Sequence, residues 1–427
     1  MKRDLLVCFS LLFLSITVSQ VWSNDEEKTS QIQKFLIKNQ NGSESSLVLS
    51  HPGDSSIENY SFTYDLSIAG DVFLVLGEIE RCRSILEFLL DAKLSPNNFY
   101  YSAYNYQSGD PIEYNEHVGL NSYVVISFLN WYIYEEDERY LNQSKIIADA
   151  VSGVITNEGC LKGGPTESFV SAEHNFDAMS MYKILYNITN EQKWKDLENE
   201  IYDCLENVMW NTNYDLYNVG KDDNKRVTDV QSMAHFTLGD TYPEKTGRQM
   251  SSLMKNTQSA VWVNTTFKEQ EIEGCDFVNI QDCPHEKMIS VEWHLQYCCV
   301  LRSIGGNWEQ CRNYIDLLFV DSQIYAGKGY VYSSRKSENN CLGWSTPNTD
   351  EPSVSSSCWG VFLFKNINPL SIFTKNKNDS SNDSDNDSDN DNDDDDIVSG
   401  GSSNTYLEKK LLFYIFVLLI SFVTTSF

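Results

Sequence analysis

The chain has 427 residues and a formal charge of −29, with 61 acidic against 32 basic side chains. A surface that negative repels nucleic acid, so no nucleic-acid partner is expected. Part of the charge is local: Lys377 to Asp396 holds ten Asp among Asn and Ser, the composition of a disordered run.

Residues 1–23 read as a secretory signal, with Lys2 and Arg3, an apolar run from Leu5 to Val18, and small Ser23 near the cleavage point. Residues 24–58 are polar and read as a loose lead-in, with at most a short helix at Ile32 to Ile37. From 59 to 370 one plan repeats. A loop rich in Gly, Asn and aromatics leads into a first helix with a polar group in its first turn, and an amphipathic second helix follows. The predicted pairs are Tyr64–Leu76 with Ile79–Ala92, Asn121–Tyr134 with Glu136–Ile155, Glu173–Tyr186 with Glu191–Met209, Asp229–Leu238 with Tyr242–Val261, and Val291–Ile304 with Trp308–Phe319. A sixth first helix spans Ser356 to Phe364. The starts recur roughly every 50 to 65 residues, the mark of a repeated supersecondary unit.

First helices such as VVISFLNWY are apolar nearly all round, as buried helices are, whereas second helices carry one stripe, as in Leu197, Ile201, Leu205 and Val208. Two concentric layers follow, and six hairpins close into an all-α (α/α)6 toroid. In that ring the first-helix starts meet at one end. Asp65, Asn121, Glu173, Asp177, Asp229, Gln231, Glu292 and Trp359 then become neighbours around one cleft. Carboxyls among aromatics suit a sugar: aromatic faces stack on its rings and polar groups fix its hydroxyls. Cleaving a glycosidic bond needs one protonated and one ionised carboxyl.

The motifs carry a resemblance. Tyr64-Asp65, Lys162-Gly163-Gly164-Pro165, Ala172-Glu173-His174-Asn175-Phe176-Asp177-Ala178, Asp229-Val230-Gln231 and Glu292 resemble the pattern of six-hairpin toroid glycosidase-like proteins of bacteria and archaea. That resemblance implies the toroid over residues 59–370, and carbohydrate hydrolysis. One departure is plain: such proteins carry Gly-Thr after the fifth-helix glutamate, where this chain has Trp293-His294.

Glu173 is the first choice for general acid and Glu292 the second choice, as base or as alternative acid, with either Asp65 or Asp229 a further candidate for the base. Asp65, His174, Asp177, Gln231, Trp293 and Trp359 are candidates for substrate binding. A bland reading competes at each, since acids in a first helical turn are ordinary start signals. The alternatives to a hydrolase are a non-catalytic glycan binder on the same cleft, or a lyase or epimerase leaning on His and Tyr.

Asn41, Asn59, Asn142, Asn187 and Asn264 head glycosylation triplets. Ten cysteines remain after the leader, an even set that favours disulfides, with Cys275–Cys283 a weak guess for one short loop. No cysteine pair has zinc-site spacing with histidines, so neither metal nor cofactor is expected. Residues 371–400 form an acidic linker. In 401–427, a polar spacer and the uncharged run Leu411–Phe427 match a lipid-anchor (GPI) signal with Gly400 as attachment point, the alternative being a membrane span. The protein is expected to act as a monomer at the outer face of the cell membrane, on a carbohydrate substrate.

Overall fold

The first hairpin is built from α2 (Thr63–Val75) and α3 (Ile79–Asp91), once a helix at 24–40 (α1) has passed. In this computed structural model, residues 24–374 are described, all within one unit. The leader, most of the acidic linker, Gly400 and the anchor segment lie outside the described residues. The next hairpins are α4 (Val118–Glu135) with α5 (Glu138–Ser152), and α6 (Ala172–Thr189) with α7 (Gln192–Cys204). A turn of π-helix, Leu205–Met209, extends α7. In the fourth hairpin α8 (Asp229–Leu238) is followed by a broken outer helix, α9 (Tyr242–Thr246) and α10 (Met250–Val261), interrupted at Gly247 in the left-handed region. The fifth is α11 (Val291–Ser303) with α12 (Trp308–Asn313), and α13 (Val354–Lys365) is the sixth inner helix.

The inner helices α2, α4, α6, α8, α11 and α13 each pack on the next, and α13 packs on α2, so the ring is closed. Their patterning explains their place. In α4, thirteen residues from Val118 to Trp131 are buried on every side, Leu120 alone being partly open. In α7 the buried residues are Trp194, Glu198, Ile201 and Cys204, a single stripe. Ser171 caps α6 by accepting from the His174 amide, and Ser353 caps α13 by accepting from that of Ser356.

One expectation is corrected. Residues 24–58 are not a loose lead-in. Helix α1 buries Ile32, Phe35 and Leu36 completely, three positions on one helical face. Lys365 on α13 pairs with Glu26, and Arg312 on α12 with Asp25. Gly360 of α13 leaves room for Ile32. Helix α1 is therefore the outer helix of the sixth hairpin, supplied from the other end of the chain.

Short antiparallel strands fill the loops: β1 (Tyr60–Phe62), β2 (Ala103–Asn105) and β3 (Pro111–Glu113) in one sheet, then β4 (Trp210–Asn211) with β5 (Leu216–Tyr217), β6 (Trp262–Phe267) with β7 (Gln270–Cys275), and β8 (Phe319–Asp321) with β9 (Lys328–Tyr330). Three disulfides staple the ring: Cys160–Cys204, Cys283–Cys341 and Cys298–Cys311. The expected Cys275–Cys283 pair does not form, because β7 carries Cys275 into the core, where it stays a buried free thiol with Cys82, Cys299 and Cys358. Among the described residues the five sequon asparagines, Asn41, Asn59, Asn142, Asn187 and Asn264, are exposed. Among the described residues no helix is long and apolar enough to cross a membrane.

Candidate active site

A cavity of about 460 Å³ opens where the inner helices begin. Of the sequence candidates, Asp65, Glu173, His174, Asp177, Glu292 and Trp293 line it. They come from α2, α6 and α11, segments spread over more than two hundred residues of sequence.

Glycines set how tightly the wall closes. The first turn of α4 lies so near α6 that a Cβ on Gly119 would stand 2.5 Å from the His174 ring and 3.1 Å from an Asp177 oxygen. The Lys162–Pro165 loop presses equally hard: a Cβ on Gly164 would lie 1.8 Å from the Glu116 carbonyl. Gly163 accepts from the Val118 amide at 2.8 Å, which pins the loop to the start of α4. Phe169, from the same loop, packs on both His117 and His174.

The acids fall into two groups. Glu173 is hydrogen-bonded to Asp229, and burial, then the charges of Asp229 and Asp177, push it well above the usual carboxylate range. Asp229 rises to about 7, chiefly through burial, and accepts from the protonated Glu173. Asp177 is also driven well up, by burial and then by Asp229. A pair that shares a proton in this way holds it on the more basic member, Glu173. Glu292 sits in different company. The Tyr64 hydroxyl donates to its Oε1 at 2.7 Å, and Trp359 Nε1 donates to the Tyr64 oxygen at 2.8 Å, which aims the phenolic proton at the carboxylate. Burial raises Glu292, while the hydrogen bonds from Tyr64 and Ser355 oppose it by favouring the ionised form. Asp65 is raised to about 8 by burial, only partly offset by Ser50.

Tyr64→Phe tests this arrangement. Losing the phenolic donor lifts the pKa of Glu292 further, so the acidic limb of a pH–rate profile should move to higher pH while the melting temperature changes little. An unmoved limb would separate Tyr64 from Glu292.

Two candidates have other work. Gln231 is fully buried, accepting from the Tyr217 amide at 3.0 Å and donating to its carbonyl at 2.7 Å. It anchors β5 rather than substrate. Trp359 is likewise buried and serves Tyr64. Asp229 stands behind Glu173 rather than on the cavity wall.

The structure adds residues to which the sequence reading gave no role in the site: Tyr64, His51, His117, Tyr123, Tyr332, Glu113 and Ser355. Tyr64 adjoins Asp65, which was the signal available for it. His51 lies in the segment taken for a lead-in, and packs edge-on to Tyr332. The three histidines are all held neutral by burial, His51 at about 4, His174 at about 3, and His117 below its ordinary value. Trp344, 40% exposed, stands over this wall near Trp293, with ring centroids 6.3 Å apart, and donates from Nε1 to Tyr332 at 3.1 Å. The Cys283–Cys341 disulfide ties down the loop that carries it. Among the described residues, His294, Cys298 and Cys311 are grouped closely enough to hold a metal, but the two cysteines are spent as a disulfide.

No protein-family model matches the chain, and no curated protein does. Solved structures do. A glycosidase variant in complex with glucose superposes with a TM-score of 0.60 at 8% identity, covering 83% of this chain and 99% of its own. Cellobiose 2-epimerase from Bacillus thermoamylovorans B4167 gives 0.59 at 9%, covering 82% and 100%. A D-mannose isomerase gives 0.57 at 8%, covering 81% and 97%. The fold is the (α/α)6 toroid.

Proposed function

We propose that this chain is a glycoside hydrolase in which Glu173 is the general acid and Glu292 the base. The observation that carries the reading is the opposite provision for the two carboxyls in one cavity. Glu173 keeps its proton beside Asp229, whereas Glu292 receives donors from Tyr64 and Ser355. Glu173 protonates the glycosidic oxygen as the bond to the anomeric carbon breaks. Glu292 takes a proton from the water that attacks that carbon. Asp65 and Asp177 have buried oxygens without partners, Oδ2 and Oδ1, suited to sugar hydroxyls. The test is hydrolysis across a panel of glycans with purified protein. No cleavage of any glycan, with binding retained, would leave a glycan-binding protein.

Trp344 would serve as a stacking platform at the cavity mouth. Trp344→Ala should raise KM by about three- to tenfold with kcat nearly unchanged, since the loss is of binding common to ground and transition states. A fall in kcat alone would contradict that role.

A second reading has its own observation. Neutral imidazoles stand on two sides of the cavity: His117 and His174 at the starts of α4 and α6, and His51 against Phe62 and Tyr332, at the starts of α2 and α11. Such bases suit sugar epimerisation or isomerisation. Interconversion of reducing sugars without cleavage would favour it.

We infer too that the protein is exported and held at the cell surface by a C-terminal anchor. The apolar run from Leu5 to Val18 behind Lys2 and Arg3, the exposed sequons and the disulfides support this. Release of the protein from cells by a phosphatidylinositol-specific phospholipase would test it.

A further inference from the structure

We propose that the cavity selects a sugar residue bearing a basic nitrogen and rejects acidic sugars. This rests on the cavity being a carbohydrate site, as argued above, and narrows the class of residue it takes.

The first ground is the make-up of the wall. Asp65, Glu113, Glu173, Asp177 and Glu292 line it, with no Lys or Arg among the lining residues. The only other groups there able to carry positive charge are His51, His117 and His174, and burial keeps all three neutral near pH 7. A uronate or sulfated residue would therefore enter without a counter-ion and face carboxylates. An uncompensated charge in such a place is strongly disfavoured.

The second ground is unspent acceptor capacity. Asp65 is 3% exposed and Asp177 1%, both on the cavity wall, and each has one carboxyl oxygen without a hydrogen-bond partner. Among the donors nearby, the Tyr64 hydroxyl is committed to Glu292 and the Trp344 indole N–H to Tyr332. The site lacks positive charge, and an ammonium supplies it together with three donors. Neutral hydroxyls supply the donors without the charge. Crowded carboxyls forced to retain protons would release one when the cation arrives, which lowers their mutual repulsion.

The experiment is binding of three matched methyl glycosides, bearing glucosamine, glucose and glucuronic acid, followed by calorimetry and thermal shift at pH 6.5. The galacto series runs in parallel, because the ring stereochemistry is open. The amino sugar should bind about tenfold more tightly than its neutral counterpart, and the uronate should be weaker again by a similar factor. Calorimetry in two buffers of different ionisation heat should show proton release with the amino sugar only. Asp177→Asn should remove most of its advantage. A uronate that binds as well as glucose, or an amino sugar with no advantage, would overturn the proposal, as would silence in both series. Hydrolysis of any glycan in the panel is a separate readout, so a hydrolase with no charge preference would be recognised as such.

Discussion

Glu173→Gln should lower kcat on natural glycosides by about 10²- to 10⁴-fold, the range expected when a general acid is lost. Gln is close in shape and its amide still donates to Asp229, so the hydrogen bond that seats the side chain survives. The variant should melt cooperatively near the parent temperature. A substrate with a strongly acidic phenol as leaving group needs no proton on departure, so its rate should fall far less. That contrast assigns the proton donor rather than a structural role. Asp229→Asn makes the complementary case. Its charge is, after burial, the largest influence raising Glu173. Removing it should lower the pKa of Glu173 and shift the alkaline limb of the pH profile downward. Activity within tenfold of the parent in Glu173→Gln on every substrate would displace Glu173 as the acid.

The second large effect is on stability. Asp65 at about 8 and Asp229 at about 7 have native pKa values raised above those of the unfolded chain. The native state then binds more protons than the unfolded one, and stability falls as pH rises through that interval. Histidines act the other way at lower pH. His51, His235 and His294 are held at about 4 and His174 at about 3, so their contribution grows with pH until about 6.5 and is then constant. Between about pH 6.5 and 8 the raised carboxyls dominate. His285, whose pKa is raised by its hydrogen bond to Asp276, adds in the same direction. Asp65 alone should cost about 2 kcal/mol across that window. Thermal unfolding from pH 6 to 8.5 should show a decline above 6.5 that flattens in Asp65→Asn. An equal decline in both proteins would remove Asp65 as its source.

Much of this was legible in the sequence, for a physical reason. Inner helices must be apolar on all sides, so a polar group in their first turn stands out, and ring closure gathers those groups. Asp65, Glu173, Asp177 and Glu292 were readable in that way. The same logic misplaced Gln231 and Trp359. A polar or aromatic group at a helix start can face the cavity or brace a loop, and only three-dimensional packing decides; Gln231 braces Tyr217 and Trp359 braces Tyr64. Beyond the short piece expected at Ile32 to Ile37, the extent and docking of helix α1 were missed because its partner is at the far end of the described residues. Its apolar face, Ile32, Phe35 and Leu36, is narrow, and its flanks are charged. Disulfide pairing was illegible because Cys283 meets Cys341 across two loops whose approach depends on the whole ring.

The sixth hairpin joins the two ends of the described chain, and this has a bearing on synthesis. A ribosome delivers α1 first, and α13, against which its apolar face rests, more than three hundred residues later. Phe35 packs on Tyr325 and Ile32 on Gly360, both made near the end of the described residues, so until then the nascent protein carries part of this apolar face uncovered. Closure is a late, long-range event, and folding should be limited by the meeting of the two termini.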